Sequence, residues 1–179
     1  MTKLNGPLVL LSTFVCGTAM LAATDAKSEG AAFEMASYLD SPGGREVAAG
    51  DYAAAIAKAT SGASHFHATS PLVASTNLCV AYTVTGVFEA AQNACAKAVT
   101  LAKRLDDMPH RRFARATATS KALTNRGVLR AVSGDSAGAA TDFRKAAAMR
   151  GADAAASRNL AYLESSPSYR LALLGAATE

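Results

Sequence analysis

The sequence predicts an all-α protein, built as a short α-solenoid of antiparallel helix hairpins with two full repeats and partial units capping them. Apolar residues recur at helical spacing on both sides of Gly86, and a second stretch repeats this pattern around Gly134. Half of the 179 residues are hydrophobic, but tryptophan is absent and aromatics make up only 6%. The core is therefore expected to form from small side chains at close helix–helix contacts.

The N-terminal residues predict a secretory signal peptide over residues 1–26. Residues 1–6 carry one lysine, and residues 7–23 contain no charged side chain. A basic start, an apolar run and small residues after it are typical of such a signal. The alternative is an uncleaved N-terminal anchor, which is the one case in which we expect contact with a membrane.

Three further regions are expected after the signal. They are a polar N-terminal segment at 27–44, a helical repeat domain at 45–165 and a C-terminal tail at 166–179. Within the repeat domain, a glycine turn at 49–52 begins a partial unit, and the spacing between the full units is extended by residues 103–119. We expect this insertion to lengthen the helices on both sides of a break at Pro109.

Two stretches carry the full repeat, residues 72–101 and residues 120–149. The first presents Leu78, Cys79, Tyr82, Ala91, Cys95 and Ala98, and the second presents Gly127, Ala139, Phe143 and Ala146. This spacing resembles the tetratricopeptide repeat, whose spine is W-x2-L-G-x2-Y followed by A-x3-F. Both units lack the tryptophan, and Arg130 stands at the tyrosine position of the second.

Cys79 and Cys95 are predicted to form a disulfide. Cleavage of the signal would remove Cys16 and leave an even number of cysteines in an oxidising compartment. The two remaining cysteines lie eight residues on either side of Val87, so an antiparallel hairpin places them opposite each other. Helix axes about 8–10 Å apart leave facing Cα atoms roughly 3.5–5.5 Å apart, which overlaps the range of disulfides. The alternative is a reduced, buried pair.

The same two positions in the second repeat hold Gly127 and Phe143. We expect the glycine to make room for the phenylalanine ring, so that one small and one large residue meet where the first repeat has two cysteines.

The resemblance implies a non-catalytic module that binds a protein or peptide partner. In this family the first helix of each hairpin lines a groove, here with Asn77, Asn125 and Asn159 expected at its lip. The full set of candidate groove residues is Thr76, Asn77, Val80, Thr83, Thr124, Asn125, Val128, Ala131 and Asn159. With the signal peptide, the resemblance also implies a periplasmic or secreted protein of a bacterial envelope.

A basic patch is the second candidate surface. Its residues are Lys103, Arg104, Arg111, Arg112 and Arg115. The patch would suit an acidic peptide, an anionic lipid or a polyanionic glycan, and the alternative is a solvated helix face. We expect no nucleic-acid partner, because only Phe113 is available there for base stacking.

Signals for chemistry are weak, and we expect neither an enzyme nor a cofactor. Ser136 lies in a G-x-S-x-G match, but between two predicted helices instead of after a strand. A third hypothesis is a metal site from His65, His67 and His110, although these histidines lack an acidic or thiol ligand at a defined spacing.

The alternative function is a self-associating structural protein of the envelope. Two full repeats leave end faces to be covered, and the apolar tail at 169–177 could cap one of them or dock on a second copy.

Overall fold

A computed structural model describes residues 33–61, 71–105, 112–152 and 154–169. The helices are α1 (Gly44–Ala49), α2 (Tyr52–Thr60), α3 (Pro71–Val84), α4 (Phe88–Lys103), α5 (Arg112–Val132), α6 (Ser136–Ala147) and α7 (Ala154–Ser165). The described part of the chain contains no strand, which confirms the all-α prediction. Helix α5 has 21 residues against 14 in α3, because the insertion at 103–119 extends it at its N-terminal end.

Three hairpin turns share one backbone conformation. Their left-handed glycines are Gly50, Gly86 and Gly134, with φ of 78°, 73° and 89°. In each turn the residue after the glycine donates its N–H to the carbonyl five residues before it, at 2.8–3.0 Å. This closes the helix in a Schellman-type end, for which a positive φ is required. The turn after α5 places Ser136 at the start of α6, behind its N-cap Asp135.

Helices adjacent in the chain pack against each other throughout, from α1 to α7. In addition α3 contacts α5, and α5 contacts α7, so the first helices of successive hairpins lie side by side. The largest buried cluster joins α3, α4, α5, α6 and α7, and alanine is its most frequent residue. Small side chains allow this close approach of helices, as the composition predicts.

One described element is not helical. Residues 34–38 belong to no helix, and every second one bonds to a helix beneath it, as in an extended chain; the chain then turns into α1. Sequence reasoning assigned these residues to a polar segment outside the repeat domain, whereas Phe33 and Met35 pack against the buried clusters of the helices. Among the described residues, no helix is long and apolar enough to cross a membrane.

The predicted disulfide is confirmed. Cys79 and Cys95 are bonded across the α3–α4 hairpin with their Cα atoms 4.7 Å apart, and both are fully buried. In the α5–α6 hairpin, a Cβ built on Gly127 would lie 2.5 Å from Cε1 of Phe143. The glycine therefore makes room for the ring, also as predicted.

Candidate functional site

The candidate site is formed where the extended segment lies across the first helices of the hairpins. We call residues 33–38 the strap, and the surface beneath it, marked by Asn77, Asn125 and Asn159, the groove. These asparagines lie on α3, α5 and α7. The strap crosses the helices in the opposite order, from α7 at its first residues to α3 at its last.

The side-chain amide of each asparagine forms hydrogen bonds with both backbone groups, the N–H and the C=O, of one strap residue. Asn159 pairs with Glu34 at 2.8 Å in each direction, and Asn125 pairs with Ala36 at 2.8 Å in each direction. Asn77 accepts from the N–H of Tyr38 at 2.9 Å and donates to its carbonyl at 3.1 Å. The three amides therefore bind every second residue of an extended chain.

Residue type and burial explain this arrangement. The three asparagine residues are 0–1% exposed, and burying an amide without partners is costly. A carboxamide carries an acceptor and a donor side by side, so it can pair with a peptide unit as a neighbouring β-strand would. In a β-strand, alternate residues point their N–H and C=O to the same edge. The asparagines on the three adjacent helices therefore recognise the backbone conformation of the segment that they bind, and not its sequence.

Side chains of the strap add contacts that depend on sequence. Glu34 receives two hydrogen bonds from Arg158, at 2.5 and 2.6 Å. These bonds lower the pKa of the Glu34 carboxyl below its usual 4.5. Because this pKa is lowered, the ion pair stabilises the docked strap at every pH above the range in which a free carboxyl titrates. The stabilisation is lost as the pH falls through the lowered pKa.

Aromatic residues fix the two ends of the strap. Phe33 lies edge-on to Tyr162 with ring centroids 4.9 Å apart, and it stacks on Phe143 at 6.1 Å. Tyr38 lies under the ammonium group of Lys121, whose Nζ is 5.0 Å from the ring centroid. Burial raises the pKa of Tyr38, so its hydroxyl stays neutral well above physiological pH.

A cavity of about 590 Å³ remains beside the strap. Its lining residues are Phe33, Met35, Ser37, Val47, Ala48, Tyr52, Val80, Thr83, Val84, Gly86, Phe88, Val128 and Val132. None of these carries a charge. All the strap residues in the lining are odd-numbered, because alternate side chains of an extended chain point to the same face.

The predicted groove residues occupy different environments. The asparagines lie on the floor of the groove under the strap, not at its lip, and Val80, Thr83 and Val128 line the cavity. Ala131 packs on the apolar cluster around Phe143, which consists of Val128, Ala139, Ala140, Phe143, Leu163 and Tyr169.

The groove threonines do not offer their hydroxyl groups to a ligand. Each donates to the carbonyl four residues earlier in its own helix, at 2.6–2.9 Å, and each is at most 6% exposed; they are Thr76, Thr83 and Thr124. Polar recognition in this groove therefore comes from the asparagines.

The predicted basic patch is brought together in part. Lys103, Arg112 and Arg115 line an open pocket of about 310 Å³, and Arg150 joins them from the turn after α6. Arg104 ends α4 outside that lining, and Arg111 lies outside the described residues. Sequence reasoning missed Arg150, because no periodicity links it to the insertion.

The remaining predicted features fall largely outside the described residues. These are the signal peptide at 1–26, the three histidines and the tail beyond Tyr169. Tyr169 itself is 4% exposed and packs in the cluster around Phe143. Within the described ranges, no group of three potential metal ligands occurs.

The strap is the part of the candidate site that sequence reasoning missed, together with its contacts to Arg158 and Lys121. A signal was available. Three asparagines recur at matching positions of the helices that we predicted to line the groove, and buried amides require partners that the repeats themselves do not supply. Neither a protein-family model, nor a curated protein, nor a solved structure matches this chain.

Proposed function

We propose that this chain is a non-catalytic interaction module of the tetratricopeptide class, which acts outside the cytoplasm and binds an extended segment of a partner polypeptide in the groove. The observation that carries the proposal is the set of three asparagines, each pairing with both backbone groups of one residue in an extended chain. A partner held in this way needs an extended conformation first, and a particular sequence second.

The helix arrangement supports the class. The first helices of successive hairpins lie side by side, and their asparagines repeat at the same position, 48 and 34 residues apart. The buried Cys79–Cys95 disulfide supports a location outside the cytoplasm, since such bonds form and persist in oxidising compartments.

The test is site-specific photocrosslinking in cells, using the full chain. A photoreactive residue replaces Val84, which is 52% exposed at the mouth of the cavity. The matched control carries it at Asn93, which is exposed on α4, the second helix of the same hairpin. We expect adducts from position 84 that map to one continuous segment of a partner protein, with none from position 93.

A second control uses Asn125→Ala. Within the described residues, the hydrogen bonds of this side chain go only to Ala36, so the substitution should leave the hairpins folded and remove the adduct. Equal adducts from positions 84 and 93 would overturn the proposal. Adducts made only with second copies of the chain would favour the self-associating structural protein instead.

A further inference from the structure

The strap leaves the groove incompletely filled. Its odd-numbered side chains line part of the cavity of about 590 Å³, and the rest of the lining is mostly apolar, with Tyr52 and Thr83 as its polar side chains. Of the three strap residues in the lining, Phe33, Met35 and Ser37, the serine has the smallest side chain. Its hydroxyl group stands among valine, alanine and aromatic side chains. Atoms that line an unfilled space lose dispersion contacts, and an apolar side chain in place of the serine would recover them.

Exposed apolar side chains lie next to the cavity at one hairpin turn. Val84, Val87 and Phe88 are adjacent at the turn between α3 and α4, with exposures of 52%, 48% and 41%. Two of them, Val84 and Phe88, belong to the cavity lining. A side chain larger than serine at the position of Ser37 would cover apolar surface that the strap leaves open to water.

The even-numbered face of the strap defines the rest of the pattern. Glu34 meets Arg158, and four residues later Tyr38 meets Lys121. Between them Ala36 is partly buried on α5, where its backbone pairs with Asn125. The groove therefore presents two cations at a spacing that suits an acidic residue and an aromatic residue four positions apart.

We infer that the strap is an intramolecular pseudo-ligand, and that the partner in trans is an extended segment of another polypeptide. That segment has an acidic residue at the position of Glu34, an aromatic residue at the position of Tyr38, and a large apolar residue at the position of Ser37. This inference rests on the proposed function and specifies the partner and the regulation of the same groove.

Competition between the strap and the partner follows from their attachment. A segment joined to its own site by a short linker has an effective concentration in the millimolar range, so a partner with identical contacts cannot displace it at ordinary concentrations. An apolar side chain buried where Ser37 lies should raise affinity by about tenfold or more. The strap thus excludes segments that resemble it, whereas a segment that binds about tenfold more tightly by filling the cavity displaces it at about a tenth of the strap's effective concentration.

The experiment cuts the covalent link between the strap and the helices after the chain has folded. A recognition sequence for a specific protease is inserted between Leu39 and Asp40 of the full chain, both of which are exposed. Cleavage then leaves the strap held without a covalent link to the helices. Three labelled peptides of residues 31–40 are titrated by fluorescence anisotropy: the natural sequence, a Ser37→Leu peptide and a Glu34→Lys peptide.

We expect the natural peptide to bind the cleaved chain through the asparagines, and to bind the uncut chain at least about a hundredfold more weakly because of the strap's effective concentration. The Ser37→Leu peptide should bind about tenfold or more tightly than the natural peptide. The Glu34→Lys peptide should bind several-fold more weakly, since it places a cation against Arg158. Cleaved Asn125→Ala chain is the matched control, and should bind all three poorly.

Several outcomes would overturn the inference. Equal affinity of the natural and leucine peptides would remove the apolar requirement, while leaving the proposed function standing. If the cut fragment stays in the groove against a large excess of the leucine peptide, the strap is a permanent part of the fold. Dimers of the uncut chain that form at micromolar concentration by exchange of straps would make a second copy the partner.

Discussion

The two complete hairpins, α3–α4 and α5–α6, share a backbone and differ in what holds their helices together. Their turns are superimposable in conformation, because Val87 and Asp135 both have φ of −83° and ψ of 68° after a left-handed glycine. Matched positions lie 48 residues apart, as Asn77 and Asn125 do. The hairpin geometry therefore does not depend on the chemistry of the interface between the helices.

At the central contact, one hairpin has a covalent bond and the other has a ring against a glycine. Cys79 and Cys95 form the disulfide, whereas Gly127 and Phe143 fill the same two positions by shape alone. In both hairpins the residue that the second helix contributes to this contact is fully buried: Cys95 and Phe143 are each 0% exposed.

Around that contact the differences continue. The first hairpin has an apolar set, Leu78, Tyr82 and Ala94, and the second has a charged set, Arg126, Arg130 and Asp142, at the matching positions. Asp142 is 1% exposed and accepts hydrogen bonds from both arginines, so its buried charge is paired. The lesson is that a repeat tolerates any interface that fills its volume and satisfies its polar groups.

The strongest way to break this comparison is Phe143→Ala. The ring is the largest fully buried side chain, and it also stacks on Phe33 of the strap. Its loss next to a glycine leaves a cavity that no neighbour fills, so we expect the free energy of unfolding to fall by about 3–5 kcal/mol. Urea denaturation followed by circular dichroism measures this. The control is Phe143→Leu, which retains most of the volume and should cost far less.

Loss of the disulfide is the next largest effect expected. Cys79→Ala with Cys95→Ala opens a loop with a sequence separation of 16, and we expect destabilisation of about 3 kcal/mol from the greater entropy of the unfolded chain. Reducing agent should lower the stability of the wild type by a similar amount. It should leave the double variant unchanged, and a reductant-sensitive double variant would contradict the explanation.

Removing the charge of Asp142 tests the second hairpin in the same way. Asp142→Asn keeps the shape but weakens three charge-assisted hydrogen bonds, so we expect a loss of about 1.5–3 kcal/mol in the free energy of unfolding. The matched control is Asp135→Asn, because Asp135 is 54% exposed, lies 3.6 Å from Arg130, and caps α6 as an asparagine also can. The control should change stability by less than about 0.5 kcal/mol; equal losses in both variants would contradict the role of burial.

Much of this architecture could be predicted from the sequence, for a local reason. Helix periodicity and the glycine turns are properties of neighbouring residues, and the turn centred near Val87 places Cys79 opposite Cys95. The 48-residue offset between the repeats then places Gly127 and Phe143 at the positions of the two cysteines. The asparagines were identified too, because they repeat. Their position on the floor of the groove was not, since it depends on what lies above them.

The strap could not be predicted, because its contacts are long-range and not periodic. Glu34 and Asn159 are 125 residues apart, and no repeat relates them. The hydrogen bonds use the backbone of the strap, so its sequence carries little trace of them. Physical reasoning leaves one clue, that buried amides on three helices need partners from outside the repeats.

The smallest expected effect sharpens the comparison instead of breaking it. Asp135 caps α6 by accepting a hydrogen bond from the Gly138 N–H at 2.8 Å, and Val87 occupies the same backbone conformation at the start of α4 without a side-chain acceptor. Val87→Asp should therefore raise the free energy of unfolding by about 0.5–2 kcal/mol. Val87→Asn is the neutral control, which caps without interacting as a full charge with the helix dipole. Because Val87 is 48% exposed and lies between Gly86 and Phe88, which line the cavity, the same substitution should weaken binding of the Ser37→Leu peptide. A variant that is stabilised but binds this peptide as tightly as before would separate the hairpin turn, a structural feature, from the surface that receives the partner.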